Sequence, residues 1–396
     1  MIDICFLGGM YPQEIEKELF ANSRWGICYA ANNHQWRLIE GFEQNDANLT
    51  VITAPFLSTF LRGYKKLNVP RCAFGNNGNY KSVGYRNIFL FGNKQSQIYE
   101  ELKRWYTSTT GVSKCVLIYC LEGTIMKAAL QLRNQYPDVK LCQMIPDLPE
   151  DMAANWLYKA LGFKKRSMEF IYASMPKMDM FIFLSKHMND AICNTTKPYL
   201  VSEGVYEDTG AYTIEDKLKN TILYTGNLNK KYGIEHLVES FKLLGSGYKL
   251  YVRGDGDMIE YVKTEAALNP NIEYLPRMDY EALKKLQRQV SVLVNPVLPT
   301  ENFTRNFFPS KTMEYLASGT PVVMYRLGGV PDEYYNYIYT PEDLSTEALS
   351  RQLKTICNMT LEESRNCGSK SREFIISHKL SKVMTREILN FIEATV

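Results

Sequence analysis

The sequence has no run of about 18 consecutive apolar residues, so nothing in it reads as a bilayer-spanning helix. Its start, MIDICFLGGMYPQEIEKEL, has an acid at Asp3 and no basic leader, so no export is expected and a cytoplasmic location follows. The nine cysteines are an odd number, none in a CxxC pair and none near a histidine at zinc spacing. This excludes a disulfide framework and points to idle thiols in a reducing compartment. Histidine is scarce, with only His34, His187, His236 and His378. GxSxG is absent, and Gly254-Asp-Gly256 stops short of GxGxxG. Hydrolase chemistry thus lacks a nucleophile, and a dehydrogenase lacks its dinucleotide loop. A net charge of +3 is too small for a dedicated nucleic-acid binder.

What is present is a chain of 396 residues, 45% apolar, too long for one ordinary core. Short apolar runs alternate with helical stretches. Ile4–Leu7, Leu49–Thr53, Asn87–Phe91, Val116–Tyr119, Lys140–Met144 and Met180–Leu184 lack polar alternation, as strands covered on both faces do. The pattern restarts at Thr221–Tyr224 and continues through Lys249–Val252, Ile272–Tyr274, Val292–Val294, Pro321–Tyr325 and Tyr337–Tyr339. Strands alternating with helices imply parallel sheets. The expected fold is α/β, two tandem Rossmann-like doubly wound domains facing across a cleft. Their boundary falls in the polar stretch 201–220. We place the first domain at 1–205, the second at 218–375, and at 376–396 a helix packing back toward the first domain.

Charge divides unevenly between the halves. Residues 1–200 hold 23 basic against 17 acidic side chains, and residues 201–396 hold 23 against 26. The excess gathers at Arg62, Lys65, Lys66 and Arg71, and again at Lys164, Lys165 and Arg166 beside the aromatic stretch Asn155–Phe163. Basic residues beside exposed aromatics suit a peripheral contact with an anionic membrane, although a solvated helix end has the same composition.

Two segments of the second half carry the chemistry. In Leu223-Tyr-Thr-Gly226-Asn227-Leu-Asn-Lys230-Lys231-Tyr-Gly233, a strand runs into a glycine loop with two lysines and then into a helix. Glycine allows close backbone approach, and lysine supplies charge for a phosphate. In Asn306-Phe307-Phe308-Pro309-Ser310-Lys311-Thr-Met-Glu314, Pro309 or Ser310 opens a helix that ends at Gly319. A carboxylate at Glu314 can accept two hydrogen bonds from vicinal hydroxyls such as those of a ribose, or can simply pair with Lys311. Asp255-Gly-Asp257 spells a DxD, which in another setting holds manganese. Its place directly after a strand favours a glycine turn, and no metal is expected.

Together GNLNKKYGIEHL, YVRGDGD, NIEYLP and FFPSKTMEYLASGTPVV resemble the donor-binding half of GT-B-type glycosyltransferases, close to family four, the exopolysaccharide and capsule type. The resemblance is specific over about residues 220–335. It implies a nucleotide-diphosphate sugar held by the C-terminal domain, without a metal or other cofactor and with retention. Glu314 would take the ribose hydroxyls, Gly226–Lys231 would lie along the diphosphate, and Leu275, Pro276 and Arg277 would border the base. Asn306 stands where the family often has a second Glu for the sugar, and Asn227 where it often has Arg. Lys230, Lys231 and Lys311 can restore the missing positive charge.

The first half is then the acceptor side. The resemblance turns the Gly8-Gly9 loop toward the diphosphate. Asn32-Asn-His34-Gln-Trp36-Arg37 offers polar groups and a ring face for sugar. Asp147, between Pro146 and Pro149 at a strand end, is a fixed carboxylate able to accept a hydroxyl proton, or a turn former. The reading is a glycosyltransferase of the hexosyl type, acting on a saccharide or lipid-linked acceptor in polysaccharide biosynthesis. Catalysis is assigned to Asp147, Lys231 and Lys311. The alternatives are a non-catalytic scaffold subunit and a nucleotide-sugar epimerase.

Overall fold

A computed structural model of the chain describes residues 2–24, 28–75, 78–88, 91–148, 163–208, 212–213 and 215–396. The stretch Asn155–Phe163, apart from the backbone of its last residue, and the side chain of Lys164 lie outside the described residues. The chain divides into two compact units, Met1–Val205 with Ser381–Val396, and Tyr206–Leu380. Among the described residues no helix is long and apolar enough to cross a membrane.

Among the described residues the first unit has ten strands. They are β1 (Ile2–Gly8), β2 (Leu49–Thr53), β3 (Asn68–Val69), β4 (Cys72–Phe74), β5 (Tyr80–Ser82), β6 (Tyr85–Arg86), β7 (Ser113–Tyr119), β8 (Lys140–Ile145), β9 (Met180–Phe183) and β10 (Tyr199–Val201). Eight form one sheet in the order β10-β9-β8-β7-β1-β2-β5-β4, parallel except at the β4–β5 edge. Unbroken apolar runs form the centre because helices cover both faces. In β7, Val116 and Ile118 enter one core and Cys115, Leu117 and Tyr119 the other.

The second of these cores is closed by residues far apart in sequence. Leu38, Ile39 and Phe42 of the helix Tyr29–Glu43 meet Met384, Ile388 and Ile392 of the helix Ser381–Thr395. Each such side chain is worth roughly 1.5–3 kcal/mol on burial. The Asn45 amide fixes the register, donating to Lys382 O and Thr385 Oγ1 and accepting from Arg386 Nε.

The second unit carries β11 (Thr221–Thr225), β12 (Lys249–Arg253), β13 (Ile272–Tyr274), β14 (Val292–Asn295), β15 (Val322–Met324) and β16 (Ile338–Tyr339). All pair in parallel, in the order β13-β12-β11-β14-β15-β16. The helix Ile234–Lys242 buries Ile234, Leu237, Val238 and Phe241 on one face, as the helical spacing requires. Asp279 caps Tyr280–Gln289 by accepting from the Ala282 amide.

One expected strand is not found among the described residues. Residues 87, 88 and 91 of Asn87–Phe91 are not in a strand, and 89–90 lie outside the described residues. Asn87 instead ties loops together. Its backbone donates to Leu67 O and accepts from Phe60, and its side chain donates to Ser58 O. Phe91 is 77% exposed, which a core strand would not tolerate.

Candidate functional site

In the second unit the strand order reverses between β11 and β14, and ligands of doubly wound sheets bind at the carboxyl ends beside such a reversal. The loop after β11 is built tightly onto the loop after β12. Gly226 N donates to Arg253 O (3.0 Å) and Leu228 N to Asp255 O (2.9 Å). Lys230 N donates to Asp257 Oδ1 (2.9 Å), and Asp257 N to Asn229 Oδ1 (3.1 Å). Asp255-Gly-Asp257 therefore works as a turn that braces the lysine loop. Gly233 ends that loop at φ 78°, and a Cβ there would stand 2.2 Å from Pro296 O, so only glycine lets the chain enter its helix beside β14.

The two lysines differ in surroundings. Lys230 is 76% exposed and leans toward Glu235 at 3.7 Å. The Lys231 ammonium lies 4.6 Å from the centre of the Phe303 ring. Phe303, Phe307 and Tyr232 pack with centroids 5.2–6.0 Å apart, giving Lys231 an aromatic bed.

Glu314 lies on the helix Lys311–Ala317 and pairs with Lys311 at 2.7 Å, with 17% of its side chain exposed. Its neighbour Tyr315 holds it in place. The buried Tyr315 hydroxyl accepts from Thr225 N (2.8 Å) and donates to Thr225 O (2.9 Å), which pins this helix to the end of β11. Burial pushes the Tyr315 phenol up to about 12, so it stays a neutral hydrogen-bonding group. Glu314 also borders a groove lined by Tyr206, Tyr280, Lys284 and Arg372.

Around these groups the expected donor residues take different roles. Asn306 Oδ1 is buried without a hydrogen-bond partner, the kind of orphan that a ligand can satisfy. Phe308 turns away into the core against Tyr334, and Pro309 is buried as well. Ser310 precedes the helix without a side-chain cap bond. Arg277 is exposed in the loop after β13, and Asn227 Oδ1 accepts from Asn229 N. The loop after β15 escaped the sequence reading. Gly329 N donates to Thr304 O (3.0 Å) and lies against the Phe307 backbone, fixing the segment that carries Asn306.

In the first unit the Gly8-Gly9 loop is fully packed. Gly9 N donates to Gln35 Oε1 (2.9 Å), Tyr11 N to Asn32 Oδ1 (2.8 Å), and Trp36 Nε1 to Tyr11 O (3.3 Å). The Phe56 ring occupies the place of any side chain at Gly9, 2.2 Å from a Cβ. The Gly9 amide is thus spent on Gln35. The polar cluster around Asn32 is a helix that secures this loop, and Arg37 lies on the same helix.

His34 Nδ1 meets Tyr119 Oη at 3.0 Å at the end of β7. Asp147 is exposed after β8, close enough for its charge to act on Tyr119 and Cys120. Cys120 holds φ 73°, and Gln143 Nε2 donates to Cys120 O (2.9 Å). Gln143 Oε1 and Ser185 Oγ, near the ends of β8 and β9, are buried without partners. All nine cysteines are free.

Burial, aided by Arg37, lowers the His34 imidazole to about 4. The unfolded chain takes up that proton below about 6.5, so stability present above 6.5 is lost as pH falls toward 4. We expect His34→Gln to flatten the fall in unfolding free energy between pH 7 and 4.5, a difference of about 2–3 kcal/mol by urea titration. Parallel profiles for the two proteins would refute it.

Two tandem Rossmann-like doubly wound units, with their loops gathered at the carboxyl ends of the strands, define the GT-B fold. Residues 219–358 match the family model of glycosyl transferases group 1. No curated protein matches the chain by sequence. Among solved structures, sucrose-phosphate synthase from Thermosynechococcus elongatus is 14% identical, with 99% of this chain and 98% of that one covered and a TM-score of 0.64. A mutant of S. aureus TarM in complex with fondaparinux, alpha-GlcNAc-glycerol and UDP is 11% identical (98% and 99% covered, TM-score 0.63). The E. coli trehalose-6-phosphate structure bound with UDP-2-fluoro glucose is also 11% identical (100% of both chains, TM-score 0.65).

Proposed function

We propose that the chain is a glycosyltransferase close to family four. It moves a sugar from a UDP- or GDP-type nucleotide sugar to a hydroxyl of a saccharide or lipid-linked saccharide in polysaccharide biosynthesis, in the cytoplasm or at the inner face of the membrane. The observation that carries this reading is the helix of Glu314, pinned through Tyr315 to Thr225, the residue before Gly226, at the sheet reversal of the unit that matches group 1. The UDP and UDP-2-fluoro glucose named for two of the similar structures support the donor class.

In the proposed reaction the anomeric carbon–phosphate oxygen bond breaks and the acceptor oxygen bonds to that carbon on the same face. The acceptor proton passes to the leaving phosphate. Lys231, Lys230 and Lys311 offset the growing diphosphate charge, and Asn306 contacts the sugar. In the first unit Asp147 orients the acceptor hydroxyl, with His34 hydrogen-bonded to Tyr119, on whose hydroxyl the Asp147 charge acts. In this reading lysine meets the charge in place of a metal, and Asp257 serves as an acceptor for the Lys230 amide.

Thermal unfolding with UDP-glucose, UDP-N-acetylglucosamine and GDP-mannose in the presence of EDTA tests this. A donor at a hundred times its Kd adds about 2.7 kcal/mol of stability. A clear rise in Tm with one of them, followed by release of its nucleoside diphosphate in EDTA, is the expected result. No shift with any of them, or with UDP and GDP, overturns the donor site. Release only with manganese overturns the metal-free reading.

A further inference from the structure

We infer that the first unit docks on an anionic lipid bilayer through one small surface, made by the end of the helix Gln13–Asn22 and the turn 59–66. The backbone knits the two segments together. Arg24 N donates to Gly63 O (2.7 Å), Lys65 N to Asn22 O (2.9 Å), and Ser23 bridges to Tyr64. Two apolar side chains of this joined base project into solvent, Leu61 (68% exposed) and Phe20 (50%), and Tyr29, which opens the helix Tyr29–Glu43, is 47% exposed beside Phe20. The Phe20 and Tyr29 rings stand 6.4 Å apart. Arg24, Arg62, Lys65 and Lys66 are exposed around them. Glu18, which pairs with Lys66 at 2.8 Å, is the one acid within residues 18–24 and 59–66; Glu14 and Glu16 lie in the first turn of the helix.

Leu61 is the telling residue. Its φ of 66° belongs to the left-handed region, where a leucine is strained and glycine or asparagine is at ease. Neither the backbone nor the core gains from leucine there, so its apolar side chain serves something outside the chain. The apolar tips lie on two helix ends and a turn, and the exposed cations lie on the same or adjoining residues. They match the interfacial layer of a bilayer, where apolar tips enter between acyl chains and basic side chains meet anionic headgroups. This surface involves none of the groups assigned to sugar transfer, and it stands whether or not the chain is a glycosyltransferase.

Sedimentation of the full chain with vesicles tests it. We expect binding to phosphatidylcholine vesicles containing one-third phosphatidylglycerol, little binding to phosphatidylcholine alone, and release by salt. Each basic residue near such a surface contributes roughly fivefold in affinity, so joint Arg24→Gln, Arg62→Gln and Lys65→Gln should weaken binding by about a hundredfold. Leu61→Asn should also weaken binding while leaving thermal stability equal or higher, because asparagine suits the left-handed turn. That pairing separates a lost lipid contact from a misfolded variant. No binding of the unaltered chain to the anionic vesicles, or binding undiminished in both variants, overturns the inference. So does retention on heparin without vesicle binding, which would assign the patch to an acidic glycan.

Discussion

Glu314→Ala is expected to lower affinity for the nucleotide sugar by about a hundredfold while leaving the fold intact. A carboxylate that accepts two hydroxyl hydrogen bonds loses about 1.5 kcal/mol or more for each, and roughly 3 kcal/mol corresponds to two decades in Kd. The ion pair with Lys311 contributes little to stability, because the lysine side chain is 36% exposed and the pair is local to one helix. Unfolding free energy should therefore move by no more than about 1 kcal/mol. Glu314→Gln keeps the shape and one acceptor, so it should fall between the parent and alanine. Calorimetric titration with UDP or GDP and with the matching sugar nucleotide separates ribose recognition from sugar recognition. Unchanged affinity in Glu314→Ala would remove the donor site from this helix.

The second large effect is expected at Lys231. Lys231→Met should reduce kcat by about a hundredfold with only a few-fold change in donor Kd, because its charge is needed as negative charge grows on the leaving diphosphate. Lys231 is exposed, but its ammonium lies over the Phe303 ring, in a cluster with Phe307 and Tyr232 that gives it a preferred place. Lys230→Met is the internal comparison. That lysine is 76% exposed and leans toward Glu235, so its replacement should cost much less. Single-turnover rates with saturating donor give the contrast. Equal losses at the two positions would mean that a diffuse positive field matters and Lys231 has no particular place.

The contrast between these lysines marks the limit of what the sequence discloses. The loop Gly226–Gly233 was legible as a whole, since its glycines and lysines follow an apolar run and precede a helical period. Which lysine is held was not, because Phe303 lies far along the chain. Phe307 and Phe308 are adjacent and chemically alike, yet one supports the lysine bed and the other fills the core. Only the loop after β15, packing through Gly329, decides that direction. Tyr315 and Thr225 are 90 residues apart, and no local pattern announces their bond.

Central strands β1, β7 and β8 were visible because burial on both faces leaves no polar alternation. The ladders β3–β6 and β4–β5 are two or three residues long and broken by Pro70, Gly75 and Gly84, too short for any periodicity. Strand β10 falls at the edge of the polar stretch and was hidden in it. The Asn32 to Arg37 cluster offers polar groups and a ring face for sugar. Its helical spacing sends Asn32 and Gln35 to one side, where both serve the glycine loop.

The helix Ser381–Thr395 gives the molecule a nested topology, with residues 206–380 inserted into the first unit. Synthesis therefore runs through a stage at which the inserted unit has all of its strands while the outer one still waits for Met384, Ile388 and Ile392. Until those residues leave the ribosome, the core that holds Leu38, Ile39 and Phe42 lacks the part supplied by this last helix. The order of maturation is thus the reverse of the order of translation: the segment made later completes itself first.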